Sequence, residues 1–317
     1  MALSIDVLSS YPPVQEAEVD KVLAEEIRDN EKKIVVLDDD PTGVQTVHDI
    51  SVYTNWEKAS IKQGFAEENK LFYILTNSRG FTAAQTEKAH KEIAEVVDQV
   101  AKETGKEYLF ISRSDSTLRG HYPLETTILK DEYEKNTGKK IDGEVLCPFF
   151  KEGGRFTIDD VHYVQYDDTL VPAAETEFAK DKTFGYTVSN LKEYVEEKTQ
   201  GAYKKENVTA ISLENIRELN YDKIEEQLLA VEDFNKVIVN AIDYVDVKIF
   251  CVALFRAMKK GKNFMFRTAA AIVKVMGGVS DQPLLTREQM VVKETDNGGI
   301  IAVSYTHLRA HETRRHL

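Results

Sequence analysis

The chain alternates short, almost uniformly apolar runs with longer stretches in which apolar residues recur every third or fourth position. Residues 33–37 ("KIVVL"), 71–75 ("LFYIL"), 108–112 ("YLFIS"), 208–213 ("VTAISL"), 236–242 ("KVIVNAI") and 299–303 ("GIIAV") read as buried strands. Between them lie helical patterns. In "VQEAEVDKVLAEEIRDNEKK" the apolar Val19, Leu23 and Ile27 fall at four-residue spacing among charges, and residues 83–103 and 244–260 carry the same kind of periodicity. Strand and helix in alternation predict an α/β fold, with a largely parallel sheet covered by helices on both faces. Residues 151–175 ("KEGGRFTIDDVHYVQYDDTLVPAAE") break the rhythm with near alternation of tyrosine, histidine and valine, which predicts a β-hairpin excursion. A domain boundary is expected near residue 240, although no Pro/Gly/Ser linker marks it.

Composition narrows the function classes. A length of 317 residues with 42% hydrophobic content is enough for two cored domains. The formal net charge of -13 repels polyanions, so nucleic acid is not an expected partner. No apolar run is long enough to cross a bilayer and the N-terminus lacks a signal-peptide pattern, so no membrane partner and a cytoplasmic location are expected. Cys147 and Cys251 sit in apolar stretches without C-x-x-C spacing, which favours packing over metal or disulfide chemistry, and no metal site is expected of the protein side chains.

In an open α/β sheet the residues that follow each strand meet the ligand. Three successive runs deliver "DDDPTG" (38–43), "TNSRG" (76–80) and "SRSDSTLRG" (112–120), each ending in a glycine that lets backbone turn or approach closely. Together they offer Asp38, Asp39, Asp40 and Asp115, the guanidiniums of Arg79, Arg113 and Arg119, and the hydroxyls of Ser78, Ser112, Ser114, Ser116 and Thr117. Arginine forks suit carboxylate or phosphate, and aspartates suit sugar hydroxyls or a divalent cation. The mixture fits a small polyhydroxylated acid. Helix capping by Asp and Ser with surface ion pairs is the competing explanation for any one of the three segments.

Two families match these residues. "LDDDPTG" resembles the D-x-D-x-T motif of haloacid-dehalogenase-type phosphatases, with Asp38 as nucleophile and Asp40 as acid; the acidic pair such enzymes need further on could only be Asp159 and Asp160, inside the hairpin. The second resemblance covers far more of the chain. "DDPTG" (39–43), "NSRG" (77–80), "SDSTLRG" (114–120), "PFFKEGGRFTIDDVHYV" (148–164) and "FRTAAAIVK" (266–274) are similar in order and spacing to the four-carbon acid sugar kinase family, "DSTLRG" being the most specific element.

That resemblance implies a two-domain kinase in which an N-terminal domain binds threonate, erythronate or a 3-oxo-tetronate and a C-terminal domain binds ATP with Mg2+. It implies an ATP-dependent transfer to the terminal hydroxyl, in a possible homo-oligomer. Asp39 and Asp115 are then expected as catalytic residues, one of them the base. Asp38, Asp40, Arg79, Arg113, Ser116 and Arg119 are expected to bind substrate, the arginines clamping its carboxylate. The expected division is residues 1–240 for the acid and 241–302 for the start of the nucleotide domain. The nucleotide motifs of the family follow the strand corresponding to "NGGIIAV" (297–303), and the chain has neither G-x-x-x-x-G-K-[ST] nor G-x-G-x-x-G. Residues 303–317 ("VSYTHLRAHETRRHL") resemble translated sequencing-adapter read-through, so a fragment is expected. A non-catalytic sugar-acid-binding module remains the plainer alternative.

Overall fold

The computed structural model describes residues 1–283 and 286–290. A first compact unit spans Met1–Val279. Its strands are β1 (Leu3–Ser4), β2 (Lys33–Asp38), β3 (Val52–Tyr53), β4 (Leu71–Leu75), β5 (Tyr108–Arg113), β6 (Gly143–Cys147), β7 (Arg155–Ile158), β8 (Val161–Tyr166), β9 (Thr169–Pro172), β10 (Thr209–Ile211), β11 (Asn235–Val239) and β12 (Phe264–Thr268). Its helices are α1 (Glu16–Asp29), α2 (Lys58–Ala66), α3 (Ala83–Thr104), α4 (Leu124–Thr137), α5 (Leu191–Lys198), α6 (Leu213–Arg217), α7 (Tyr221–Leu229), α8 (Tyr244–Lys259) and α9 (Ala270–Gly277). A second unit, Ser280–Leu317, contributes the short helix α10 (Arg287–Met290) to the described residues. The expected strand at 299–303 and the tail at 303–317 lie outside the described residues.

Eight strands form one sheet in the order β10-β11-β6-β12-β5-β2-β4-β3, every neighbouring pair parallel. Alternation along a buried strand sends successive side chains to opposite faces. In β2, Val35 and Leu37 join Phe65, Ile93, Val97 and Leu129 of α2, α3 and α4 on one face. Ile34 and Val36 join Val19 and Leu23 of α1 and the apolar residues of α8 and α9 on the other. Both faces are therefore covered, as the sequence predicts.

Residues 151–175 do form a hairpin, extended into a separate antiparallel sheet in the order β1-β9-β8-β7. Its first turn is Asp159-Asp160, both at positive φ (47° and 65°) between the paired Ile158 and Val161, the geometry of a two-residue hairpin turn.

The expected boundary at residue 240 is corrected. β12 pairs with β6 on one side and β5 on the other, so it lies in the middle of the sheet. Cutting at 240 would remove a central strand and both helices flanking it in sequence; the unit continues to Val279. The helix begun by "RTAAA" ends at Gly277, and Gly278 (φ 66°) caps it in the left-handed region, so "VMGGVSDQP" supplies a helix stop.

Candidate functional site

Because all eight strands run the same way, their carboxyl ends share one edge. The chain passes from β2 outward to β3 and β4, then recrosses β2 to reach β5, so the strand order reverses between β2 and β5. The segments after β2, β4, β5 and β12 meet at that reversal.

The deepest layer is a buried ion pair. Asp38 and Arg113 face each other in register across β2 and β5, with Arg113 Nη1 3.0 Å from Asp38 Oδ1. Asp38 is only 1% exposed. Burial pushes its carboxyl up to about 7 even though Arg113 pulls the other way. Gly43 closes over it: a Cβ there would lie 2.0 Å from Asp38 Oδ2. The first of the three motif glycines thus lets backbone approach the protein's own carboxylate. The third, Gly120 (φ 119°), leaves room for Arg267, whose Nη2 would lie 2.8 Å from an added Cβ. At Gly80 an added Cβ would meet open space.

Above this pair, Arg79 forks onto Asp39, with Nη2 2.7 Å from Oδ1 and Nε 3.2 Å from Oδ2, while its Nη1 reaches Asp40 Oδ2 at 2.9 Å. Asp40 also accepts from the Thr42 amide at 2.8 Å. Burial acts to raise the Asp40 carboxyl, but Arg79 and Thr42 outweigh it and hold it below the ordinary range. Asp115 takes a hydrogen bond from Arg119 Nε at 2.6 Å and another from the Thr117 hydroxyl. There too burial is outweighed, by Arg79 and Arg119, and the carboxyl is held well below the usual range. Asp40, Arg79, Asp115 and Arg119 remain 12–18% exposed at their side chains, whereas Asp38, Asp39 and Arg113 are 1–5% exposed. The reachable wall of the crevice is the first set.

A second buried network supports the wall from behind. Glu125, in the first turn of α4, accepts from Ser78 Oγ at 2.8 Å and Arg267 Nη1 at 3.1 Å, with His90 Nε2 3.9 Å away. Burial acts to raise the Glu125 carboxyl, yet Arg267 and His90 hold it low. Glu125 and Arg267 were not among the expected site residues. Arg267 lies inside the quoted "FRTAAAIVK", so the motif pointed to it; Glu125 sits in an ordinary helix start and carries no signal.

The structure therefore brings seven expected acids and guanidiniums to one place and separates their roles. Asp38 and Arg113 lie beneath the crevice as partners of each other. Each arginine is engaged by at least one aspartate: Arg113 by Asp38, Arg79 by Asp39 and Asp40, and Arg119 by Asp115 through its Nε. Ser116 is half-buried, and its carbonyl is held by His162 Nε2 at 2.7 Å. Arg155 makes a local contact to the Gly153 carbonyl, and His121 bonds the Phe81 carbonyl at 2.9 Å. The phosphatase alternative loses its geometry: Asp38 is closed off as a nucleophile, and Asp159-Asp160 form the hairpin turn. Asp160 in that turn is tied to Asn240 Nδ2 at 2.8 Å and to Lys192 at 3.0 Å.

A separate hollow of about 370 Å³ opens at the opposite, amino-terminal edge of the sheet, lined by Lys33, Glu67, Lys70 and Lys106 among others. Three of its lysines are engaged by backbone, Lys33 Nζ donating to the Glu67 carbonyl at 2.9 Å, Lys70 to that of Asn30 at 2.6 Å and Lys106 to that of Phe65 at 2.7 Å, while Lys32 donates to Asn263 Oδ1 at 2.9 Å. These bonds tie down chain ends, and the hollow is no rival to the strand-end crevice. Among the described residues no group of three or more His, Cys, Asp or Glu side chains is arranged to hold a metal ion, and no helix is long and apolar enough to cross a membrane.

A parallel sheet covered on both faces, with acids, guanidiniums and hydroxyls converging at its strand-order reversal, defines an α/β domain of the class that receives small polar ligands at its strand ends. The chain belongs to the family described as the sugar-binding N-terminal domain, whose sequence model matches residues 34–276. This agrees with the resemblance to the four-carbon acid sugar kinase family and, like the structure, carries the domain past residue 240.

Among solved structures, a domain of unknown function (DUF1537) from Bordetella bronchiseptica, a domain-swapped dimer with bound citrate, superposes with a TM-score of 0.55 at 19% identity over 77% of this chain and 55% of that one. A Haemophilus influenzae protein of the same DUF1537 family gives 0.53 at 16% identity, over 77% and 55%. The chain thus spans about half the length of these relatives, and the likeness is one of fold. No curated protein matches.

Proposed function

We propose that this chain is the acid-binding part of an ATP-dependent kinase that phosphorylates the terminal hydroxyl of a four-carbon sugar acid: threonate, erythronate or a 3-oxo-tetronate. The observation that carries the reading is the partly exposed wall of Asp40, Arg79, Asp115 and Arg119 at the strand-order reversal. Carboxylates there accept from ligand hydroxyls, and guanidinium edges not used by the aspartates face the ligand's own carboxylate. Asp115 is the favoured group to accept from and orient the ligand hydroxyl, since its side chain is partly exposed and Arg79 and Arg119 hold it ionised. Asp39 is held behind Arg79 and acts through it. The sugar-binding family and the citrate found in the Bordetella relative, itself a small hydroxy-acid, support this ligand class.

The carboxylates of the crevice are already neutralised by arginine, so they do not fit a resident Mg2+. In this reading the cation arrives with the nucleotide as Mg-ATP. A cytoplasmic location and assembly into a homo-oligomer go with the proposal, the latter supported by the dimer of the Bordetella relative.

A thermal-shift series tests the ligand class. D-Threonate, D-erythronate and 3-oxo-tetronate at millimolar concentration are compared with neutral four-carbon polyols. A rise in Tm of a few degrees with at least one acid and none with the polyols is expected. Equal effects of acids and polyols would sink the sugar-acid reading.

A further inference from the structure

The loop that carries Asp115 and Arg119 is shaped by side chains from elsewhere in the chain. Four consecutive carbonyl oxygens are each bound by a different one. Ser116 accepts from His162 Nε2 at 2.7 Å, Thr117 from the Tyr186 hydroxyl at 2.9 Å, Leu118 from the Tyr194 hydroxyl at 2.9 Å, and Arg119 from Arg267 Nη2 at 2.8 Å. The donors come from β8, from the segment before α5, from α5 itself, and from β12.

The loop needs this support. Leu118 sits at φ 69°, a region an L side chain avoids, and such a conformation persists only where its surroundings over-determine it. The donors are themselves held. The hydroxyl of Thr157, across the hairpin, lies 3.0 Å from His162 Nδ1. Since the Ser116 carbonyl can only accept, Nε2 carries the proton and Nδ1 accepts from Thr157. Tyr194 stacks on Tyr122 and meets Tyr186 edge to face, each at 5.6 Å between ring centroids. Three of the four donors are uncharged, so they fix the loop without adding a charge that would compete with Arg119 or Asp115.

We propose that His162 and Tyr194 are positioning residues for the ligand: through the 116–119 carbonyls they hold Asp115 and Arg119 aimed at a bound sugar acid. The small antiparallel sheet then has a function of its own, that of bracing the binding loop. This rests on the sugar-acid reading for its ligand, though not for the loop conformation.

The test uses the full chain with His162→Leu, His162→Gln and Tyr194→Phe. Two quantities are read: the affinity for D-threonate and D-erythronate, and hydrogen exchange of the peptide covering residues 114–120. Glutamine keeps a neutral amide donor, and Tyr194→Phe removes a single oxygen. Affinity about tenfold weaker in His162→Leu and Tyr194→Phe, with faster exchange confined to 114–120 and return to within about threefold of wild type in His162→Gln, is the expected result. Wild-type affinity and exchange in His162→Leu, or equal losses in the leucine and glutamine variants, would overturn the proposal. If His162→Leu does not fold, Tyr194→Phe decides alone by the same two readouts. If the wild type binds neither acid, the sugar-acid reading fails while the exchange data still decide whether these donors hold the loop.

Discussion

Single residues in this molecule are mostly explained by what lies against them across the fold. Gly43 is the clearest case, since "DDPTG" reads as a ligand loop but its glycine is required by Asp38. Gly43→Ala is expected to destabilise the protein by about 1–3 kcal/mol in urea denaturation, because the Cβ would lie 2.0 Å from Asp38 Oδ2, on a carboxylate that Arg113 holds through Oδ1. Unchanged stability would mean that the turn sits further from β2 than described.

His162 gives a pH-dependent consequence. Burial pushes its imidazole down to about 4, with Arg155 favouring the neutral form and Asp115 opposing it. The unfolded chain therefore binds the extra proton first. The stabilisation from burying neutral His162 is complete above pH 6.5 and is lost as pH falls from 6.5 towards 4, on the order of 3 kcal/mol in total. Urea denaturation of wild type and His162→Gln across that window should show wild type losing stability relative to the variant as pH falls. A constant difference would contradict the assignment.

At the level of elements, legibility tracked how uniformly apolar a strand is. β2, β4 and β5 announce themselves because nearly every residue is buried between two helix layers. β6 ("GEVLC") and β12 ("FMFRT") do not, because each carries a charge whose partner lies far along the chain: Glu144 meets Lys236 on β11 at 2.7 Å, and Arg267 meets Glu125 on α4 at 3.1 Å. No local pattern encodes such pairs. The misplaced boundary at 240 has the same origin, since β12 enters the sheet between strands formed much earlier in the sequence. The Lys236–Glu144 pair is almost fully buried, with the ammonium 3.4 Å from the Phe234 ring centroid. Lys236→Met alone should cost about 3 kcal/mol by leaving Glu144 unpaired, whereas adding Glu144→Leu should recover most of that loss. Equilibrium denaturation of the single and double variants checks this, and a double variant as unstable as the single one would show that the pair does not act as a unit.

For the molecule as a whole, the three strand-end motifs were legible as one site because parallel topology sends their carboxyl ends to the same edge. What the sequence could not show was the layering. Depth decides which acid meets solvent, and depth depends on β12, α4 and the small sheet, all distant in sequence from "DDDPTG". Binding of a four-carbon sugar acid in the crevice walled by Asp40, Arg79, Asp115 and Arg119 is the proposed consequence of that layering. Its most direct test is calorimetric titration of D-threonate and D-erythronate into the wild-type chain and into Asp115→Asn, an isosteric change that removes the charge at the reachable wall. Saturable binding of at least one acid to wild type, and an affinity at least tenfold lower in the folded variant, are expected. Binding of neither acid, or equal binding to both proteins, would contradict the proposal.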